Sequence, residues 1–137
     1  AVVAPEADNV ELQILKLRKK IDAGAEFIQT QAVFDPARFE RFIERVSGLG
    51  VPVLAGIIPV KSPRMARFMN ARIPGVNVPP WIIQRLNEAD PGDLRAVALD
   101  LAGQIAAAVA PCCQGVHIMA QGWEDAVGAI VAATGRR

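Results

Sequence analysis

Residues 51–58, with the sequence VPVLAGII, restrict the fold of this chain more than any other segment. An unbroken apolar run of this length, rich in β-branched residues, predicts a strand that is covered on both faces. Such strands occur almost only in parallel sheets, whose successive strands are joined by helices. We therefore expect an α/β fold.

Helix and strand patterns alternate on both sides of this run. Apolar side chains spaced by three or four residues predict a helix over residues 8–24, with Asn9 as its N-cap. The other predicted elements are a strand at 25–34, a helix at 35–50, the strand at 51–58, helices at 62–71, 81–89 and 91–110, a strand at 115–119 and a helix at 123–134. Asp35 and Ser62 are expected to begin the helices at 35–50 and 62–71, and Phe39 and Phe42 lie on one apolar stripe of the first of these. This order predicts parallel strands with crossover helices.

The predicted strands do not complete a known architecture. Three parallel strands preceded by a helix have two open edges, and open edges pair readily with further strands. A complete (β/α)8 barrel takes about 250 residues, whereas this chain has 137. Half of such a barrel and a doubly wound sheet fit the order of elements equally well, although no glycine-rich nucleotide-binding loop follows a strand. We expect residues 1–137 to form a single domain.

Charge and hydropathy argue against two classes of partner. The 15 basic and 14 acidic side chains give a formal net charge of +1, which creates no field to attract nucleic acid. The longest apolar run, residues 101–113, is interrupted by Gln104 and is shorter than a bilayer span. The first residues do not have the pattern of a signal peptide. We expect a cytoplasmic protein that binds neither nucleic acid nor membrane.

The metal-ligating residue types are few. Cys112 and Cys113 are adjacent, a spacing that rarely meets disulfide geometry, and there is one histidine, His117. Without a CxxC motif these residues do not form a ligand set, so we expect no metal site and two reduced cysteines. His117 lies in a predicted strand, where a hydrogen-bonded core residue is the expectation rather than an acid or base.

The carboxyl ends of the predicted strands are where functional groups gather in either parallel architecture. These ends read TQAVFD, GIIPVKSP and HIMAQGWE. Gln31 lies at the end of its strand, in phase with Phe27 and Gln29, and its amide can both donate to and accept from a pterin or flavin ring. The alternative is that Gln29 and Gln31 satisfy backbone groups at the turn from strand to helix.

Four segments follow one another along nearly the whole chain: LKLRKKIDAGAEFIQTQAVFD, GLGVPVLAGIIPVKSPRMARFMN, IPGVNVPPWIIQRL and GVHIMAQGWE. In this order and spacing they resemble the C-terminal half of the methylenetetrahydrofolate reductase family, and TQ-x-x-FD together with GI-x-P is the most specific part. The resemblance implies the C-terminal half of a (β/α)8 TIM barrel. It also implies part of a flavin-dependent oxidoreductase that uses FAD, with NADH or NADPH as reductant, to convert 5,10-methylenetetrahydrofolate into 5-methyltetrahydrofolate for one-carbon and methionine metabolism.

The resemblance assigns folate contacts to four positions. Gln31 matches the glutamine that hydrogen-bonds the pterin of folate, whereas Gln29 has no counterpart and is expected to be structural. Met65, Met69 and Trp123 stand where other members have a glutamine, an aromatic ring and an arginine that contact the substrate. Methionine sulfur and an indole ring can both pack against a flat ligand, but neither reproduces the original polar contact.

The resemblance also points to a cofactor contact on the first predicted helix. Lys16, Lys19 and Lys20 fall in the segment that contacts FAD in the family, where ammonium groups suit a pyrophosphate. By itself the run KLRKK fits a solvated helix face equally well. Ala4 and Gln13 stand where many members have a histidine and an aspartate near the flavin.

The acidic residues of the family, a glutamate near the first strand and an aspartate near the flavin, lie upstream of the matched part. Without them the proton that opens the methylene bridge has no donor. We therefore expect the 137-residue chain alone to be inactive, either as a fragment or as a half-barrel that closes against a second copy or another subunit. The alternatives are a non-catalytic folate- or flavin-binding half-barrel that needs a partner, and a different α/β barrel enzyme with coinciding motifs.

Overall fold

A parallel sheet of four strands forms the centre of the protein in a computed structural model that describes residues 1–135. The strands are β1 (Val2–Val3), β2 (Ile28–Ala32), β3 (Val53–Ile57) and β4 (Gly115–Ile118). Each neighbouring pair is parallel, and the spatial order of the strands is their order in the chain. The predicted parallel sheet is confirmed, but the predicted count of three strands was wrong.

The strand that sequence analysis missed is β1. It pairs with β2 through Val2 opposite Gln29 and Val3 opposite Thr30. Two residues are too short to show an alternating pattern, and Pro5 follows soon after. Only the pairing with β2 identifies this segment as a strand.

Within residues 1–135, six α-helices connect or follow the strands: α1 (Val10–Asp22), α2 (Pro36–Val46), α3 (Pro63–Arg72), α4 (Pro80–Glu88), α5 (Leu94–Val109) and α6 (Val127–Ala133). The predicted caps are present, because the side chains of Asn9, Asp35 and Ser62 accept hydrogen bonds from backbone N–H groups in the first turns of α1, α2 and α3. Prolines occupy the first turns of α2, α3 and α4. The last predicted helix begins with a 3-10 turn over Glu124–Ala126.

The strand order separates the two architectures that fitted the sequence. Right-handed crossovers that always advance in one direction place every helix on the same face of the sheet. A doubly wound sheet reverses direction and covers both faces. In β2, Ile28, Thr30 and Ala32 are buried whereas Gln29 and Gln31 are half-buried, so only one face is covered. This is the arrangement of consecutive strand–helix units in a (β/α)8 barrel.

The expectation that residues 51–58 are covered on both faces was therefore wrong in part. Leu54 is half-buried and lies opposite Gln29 and Gly115, on the open face. Ala55 and Ile57 point the other way and are buried with the helices. An apolar side chain on the inner face of a barrel gives the same continuous apolar pattern as a strand between two helix layers, which is why the sequence did not distinguish them.

The core lies between the helix-covered face of the sheet and α1, α2, α4 and α5. Its largest buried side chains include Phe34, Phe39, Phe42, Leu17 and Ile82. Phe39 and Phe42 lie on one stripe of α2, as the apolar spacing predicted. Burial of each such side chain stabilises the fold by about 1.5–3 kcal/mol relative to leaving it in water.

The segment Leu94–Cys112 is long and apolar enough to cross a membrane when length and composition are the only criteria. It has a mean hydropathy of 1.3 over its most apolar window, and it begins earlier than the apolar run at 101–113. Ala98, Leu101 and Ile105 nevertheless pack in the core, and 44% of that window is buried. Core helices commonly have this composition.

The sheet contains a bulge where β2 meets β3. From Gln29 to Ala32 the chain advances three residues, while the opposite segment of β3, from Leu54 to Gly56, advances two. Thr30 lies in the bulge, and its Oγ1 accepts a hydrogen bond from Gly56 N at 2.9 Å and donates one to Gln31 O at 2.8 Å. The buried hydroxyl thus fixes the backbone of both strands next to Gln31.

Replacement of Gly56 by alanine tests this contact. An ideal Cβ at residue 56 would lie 2.4 Å from Thr30 O and 2.9 Å from Gln31 O, both of which are backbone atoms. We expect Gly56→Ala to lower the free energy of unfolding by about 1–3 kcal/mol, the usual cost of overpacking. Urea denaturation of the native polypeptide that contains residues 1–137 measures this loss.

Gly128→Ala is the matched control, since a Cβ there meets nothing within 4 Å. Alanine in the helix interior should leave stability unchanged or raise it by about 0.5–1 kcal/mol. Equal effects of the two substitutions would contradict the close approach at Gly56.

Candidate functional site

The carboxyl ends of the parallel strands lie along one edge of the sheet, where three turns come together. They follow β2, β3 and β4 and cover residues 33–35, 58–62 and 119–123. Met119 N donates to Ile57 O at 2.8 Å and Val33 N donates to Gly56 O at 2.9 Å, so adjacent strands remain paired up to this edge. Residues of all three turns can therefore contact one ligand.

Gln31 is placed at this edge, on the open face of β2. Its side chain is half-buried, and neither its amide nor that of Gln29 forms a hydrogen bond within residues 1–135. The alternative role for these glutamines, satisfying backbone groups at the turn, is not what the structure has. The amide of Gln31 retains two donors and an acceptor oxygen for a ligand.

A buried carboxylate, that of Glu6, instead accepts hydrogen bonds from backbone N–H groups in the turn after β2. Glu6, which is 3% exposed, accepts hydrogen bonds at Oε1 from Phe34 N at 2.8 Å and from Asp35 N at 2.7 Å. Burial raises the pKa of Glu6 above its ordinary value, an effect that the hydrogen bonds from Asp35 and Phe34 oppose. The arrangement ties the loop after β1 to the turn that follows Gln31.

Sequence analysis missed Glu6. The available signal was an acidic residue in the otherwise apolar stretch AVVAPEA, because an acidic side chain buried among apolar residues needs a hydrogen-bonding partner. Those partners are backbone amides 28 and 29 residues further along the chain. Nothing local in the sequence connects the two segments.

Trp123 lies in the turn after β4, as its position predicted, but its ring already contacts cations. Lys61 Nζ is 5.0 Å from the ring centroid and Arg95 Cζ is 4.8 Å from it. Such contacts contribute about 0.5–1 kcal/mol each at exposed sites. Arg95 also pairs with Asp125 at 2.6 Å, and this partner lowers the pKa of the Asp125 carboxyl. Lys61 was not among the residues that sequence analysis selected.

The two methionines differ in exposure. Met65 is half-buried at the start of α3, and its sulfur accepts from Lys61 N at 3.4 Å, so it lies beside the turn after β3. Met69 is 2% exposed and belongs to the apolar core. The substrate role of Met69 remains a prediction, and its burial weighs against a ligand contact.

The predicted cofactor lysines lie on the exposed side of α1. Lys16 and Lys19 are exposed and form no ion pair within the described residues 1–135. Lys20 Nζ donates to Val2 O at 2.7 Å, on the open edge of β1. Two free ammonium groups one helical turn apart suit an anionic pyrophosphate. The structure brings none of the three lysines into contact with Gln31.

Three further residues singled out in the sequence have defined environments. Ala4 is buried, and its N–H donates to Gln13 Oε1 at 3.3 Å, so Gln13 links α1 to the loop after β1. His117 is half-buried on β4, opposite Gly56 on the open face. This position differs from the core environment expected for His117.

Soft metal ligands are not grouped in the described part of the chain. Within residues 1–135, no group of three or more His, Cys, Asp or Glu side chains could hold a metal ion. Neither Cys112 nor Cys113 forms a disulfide within residues 1–135, and Cys113 Sγ donates to Val109 O and Gly115 O. These cysteines are part of the connection between α5 and β4.

Comparisons with known proteins agree with this geometry. A model of the methylenetetrahydrofolate reductase family matches residues 2–135. The chain belongs to this family. It is 34% identical to the 5,10-methylenetetrahydrofolate reductase of Escherichia coli (strain K12) over 90 residues, which are 64% of this chain and 30% of that protein.

Two eukaryotic methylenetetrahydrofolate reductases are also similar. Methylenetetrahydrofolate reductase 2 of Schizosaccharomyces pombe is 36% identical over 83 residues, 56% of this chain and 13% of that protein. The protein named "Probable methylenetetrahydrofolate reductase (NADPH)" of Caenorhabditis elegans is 32% identical over 76 residues, 51% of this chain and 12% of that protein. This chain therefore spans less than a third of the length of these methylenetetrahydrofolate reductases.

The buried carboxyl of Glu6 gives a pH dependence that can be measured. Its pKa in the folded state lies above the ordinary value of 4.5, so between the two values the folded protein holds a proton that the unfolded chain has released. The contribution of Glu6 to stability is therefore complete below pH 4.5 and is lost as the pH rises through the folded pKa.

We expect Glu6→Gln, which cannot ionise, to remove the part of the decline in the free energy of unfolding that sets in above pH 4.5. Urea denaturation at a series of pH values checks it. Glu40→Gln, on the exposed surface of α2, should reproduce the wild-type profile. Superimposable profiles for wild type and Glu6→Gln would contradict the assignment.

Proposed function

We propose that this chain is part of a flavin-dependent oxidoreductase that reduces 5,10-methylenetetrahydrofolate to 5-methyltetrahydrofolate. Membership of the family supports the reaction class. The observation that carries the proposal is the amide of Gln31, which lies at the carboxyl edge of the sheet without a hydrogen-bonding partner in residues 1–135. The same reasoning places the protein in cytoplasmic one-carbon metabolism leading to methionine.

The pterin ring of folate fits the chemistry of Gln31. A pterin edge carries neighbouring donors and acceptors, and one amide can match a donor and an acceptor at once. Thr30 and Gly56 hold the backbone at the bulge, so the amide is directed from a rigid strand rather than from a loop. Met65, half-buried beside the next turn, offers a polarizable surface to the same ligand.

FAD is the proposed cofactor, with NADH or NADPH as the reductant. When bound, FAD carries hydride from the reductant to the folate. Lys16 and Lys19 are the described residues best suited to its pyrophosphate, because their ammonium groups are exposed and unpaired within residues 1–135. Lys20 retains two donors beside its bond to Val2 O for the same purpose.

Further strands are proposed to close the barrel over the open face. That face exposes Val2 at 50% and Phe27 at 47%, next to the half-buried Leu54. The free edges of β1 and β4 are the places where additional strands pair. The same polypeptide, a second copy or another subunit are the proposed sources, and 1–137 forms a single domain within the closed barrel.

A non-catalytic binding role is the second candidate, and the carboxylates favour it for residues 1–135 alone. Asp35 in the turn after β2 caps α2, and in the 3-10 turn that follows residues 119–123 Glu124 accepts from Gly122 N and Asp125 pairs with Arg95. Glu6 accepts from two backbone amides. Each of these carboxylates has a partner within residues 1–135, which supports a proton donor in the part that closes the barrel.

The role of Gln31 predicts a selective defect. In the native polypeptide that contains residues 1–137, Gln31→Ala should lower the rate of folate reduction by at least about tenfold, the effect of removing a hydrogen bond to a polar ring. Reduction of the flavin by NADH or NADPH should remain within about twofold, because Gln31 addresses the pterin and not the reductant. Stopped-flow absorbance separates the two half-reactions.

Gln29→Ala is the matched control, since Gln29 is also a half-buried glutamine on the open face of β2 but lies further from its carboxyl end. Its half-reactions should both resemble wild type. Equal losses in the two half-reactions of Gln31→Ala would contradict the pterin assignment and indicate a structural glutamine.

The lysines of α1 predict a separate effect on the cofactor. The double substitution Lys16→Gln and Lys19→Gln should weaken FAD binding about tenfold, because two charge-assisted contacts are lost. Titration of the apoprotein, followed by the shift of the flavin absorption band, measures the affinity. Arg72→Gln, an exposed charge in α3, should leave it unchanged. Unchanged affinity in the double variant would indicate a solvated helix face.

A further inference from the structure

The turn after β3 contains a cation that the proposed function has not used. Lys61 follows the carboxyl end of β3 and is half-buried. It forms no ion pair with a carboxylate of residues 1–135. Its ammonium contacts the Trp123 ring and donates to Gln121 O across to the turn after β4. The ammonium of Lys61 therefore has an aromatic ring and a backbone carbonyl as partners, but no carboxylate within residues 1–135.

The turn after β4, whose Gln121 carbonyl accepts from Lys61, is strained. Gln121 has a φ of 55°, and it is the only residue other than glycine with a positive φ in the described residues 1–135. Gly122 follows with a φ of 92°. This conformation costs free energy in a residue that has a Cβ, and such strain persists where the surrounding structure requires it. Here it presents the Gln121 carbonyl to the lysine.

The Trp123 ring supports this cation rather than offering a free surface. Lys61 and Arg95 both lie against it, and Arg95 is neutralised by Asp125 at 2.6 Å. Lys61 is therefore the cation of this cluster without a carboxylate partner among residues 1–135. An ammonium group has three donors, and the Gln121 carbonyl uses one of them. Two donors remain for a ligand.

The position of Lys61 relative to Gln31 suggests what that ligand carries. Gln31 ends β2, Lys61 follows β3, and Trp123 follows β4, on consecutive strands of one edge. Neighbouring strands lie about 4.8 Å apart, so a ligand held by Gln31 and extending along the edge passes the Lys61 ammonium. A folate continues from its pterin through an aromatic linker to a glutamate carboxylate, which is an anion displaced from the ring.

We propose that Lys61 binds the carboxylate tail of the folate substrate, with Trp123 and the Gln121 carbonyl as the groups that position its ammonium. The proposal rests on the proposed function and adds a specificity residue to it. Gln31 forms hydrogen bonds with the pterin, and Lys61 favours a folate over a pterin that lacks the carboxylate tail. Trp123 acts through Lys61 and need not stack on the substrate.

The test compares two ligands on the native polypeptide that contains residues 1–137. Tetrahydrofolate carries the tail, and 6-methyltetrahydropterin has the same reduced ring without it. Isothermal titration calorimetry under anaerobic conditions gives both dissociation constants. We expect Lys61→Gln to weaken tetrahydrofolate about tenfold, the effect of losing a hydrogen bond between charged groups, and to leave the pterin within about twofold.

Four further variants separate the effect of the Lys61 charge from a structural effect. Lys61→Arg keeps a cation and should retain most of the preference for tetrahydrofolate, and its affinity should still fall with added salt. Arg64→Gln removes an exposed charge three residues away, in the first turn of α3, and should match wild type with both ligands. In Trp123→Leu the ammonium loses its support, so the loss should be confined to tetrahydrofolate, whereas Trp123→Phe keeps a ring and most of the preference.

The outcomes distinguish failure of the tail site at Lys61 from failure of the proposed function on which it rests. A native polypeptide that binds neither ligand overturns the proposed function and the tail site together. If wild type binds both ligands equally well, or if Lys61→Gln weakens both by the same factor, the function stands and the tail site is wrong. In that case Lys61 only connects the turns after β3 and β4.

Discussion

The contact between Thr30 and Gly56 determines how the carboxyl edge of the sheet is built. At this point the β2 backbone approaches β3 so closely that a Cβ on residue 56 would lie 2.4 Å from a carbonyl oxygen. The hydroxyl of Thr30 accepts from Gly56 N and donates to Gln31 O, so both strands are held by a single buried oxygen. The direction of Gln31, and with it the candidate site, depends on this approach.

Glu6 extends the same construction into the loops. Its carboxylate binds the amides of Phe34 and Asp35, while Asp35 caps α2 and Arg38 donates to Ala7 O. The loop after β1 and the turn after β2 are therefore connected by hydrogen bonds rather than by apolar packing. Because such groups are costly to bury unpaired, the network favours one arrangement of the edge.

The two faces of the sheet have different roles: the covered face forms the core, and the open face carries the candidate site residues. The helices and one face of the sheet form a packed core with Phe34, Phe39 and Phe42 at its centre. The other face carries both apolar and amide side chains, and it has no layer against it in residues 1–135. The candidate binding groups Gln31 and Lys61 lie on strands and turns that the packed side holds in place. A candidate proton donor was not identified among residues 1–135, and this difference underlies the proposal that catalysis needs the closed barrel.

Sequence patterns predicted the elements whose signals are local. The apolar stripe of α2, the caps at Asn9, Asp35 and Ser62, and the parallel strands β2, β3 and β4 follow from side-chain periodicity and turn chemistry, which act over a few residues. The motifs TQ-x-x-FD and GI-x-P also indicated the family and placed Gln31 at a strand end. They did not show that the two motifs are in contact, which they are because Gly56 N of GI-x-P donates to the Thr30 hydroxyl of TQ-x-x-FD.

Local sequence patterns were sufficient to predict the α/β class, the order of the helices and Gln31 as a candidate site residue. Only the contacts of the folded chain showed that β1 is a strand, that one face of the sheet is covered and the other open, and that Glu6 and Lys61 belong to the carboxyl edge. The reason is physical: periodicity reports which side of an element is apolar, whereas strand order, the approach of Thr30 to Gly56 and the partners of a buried charge join residues far apart in the chain. Such long-range contacts leave no local pattern to detect.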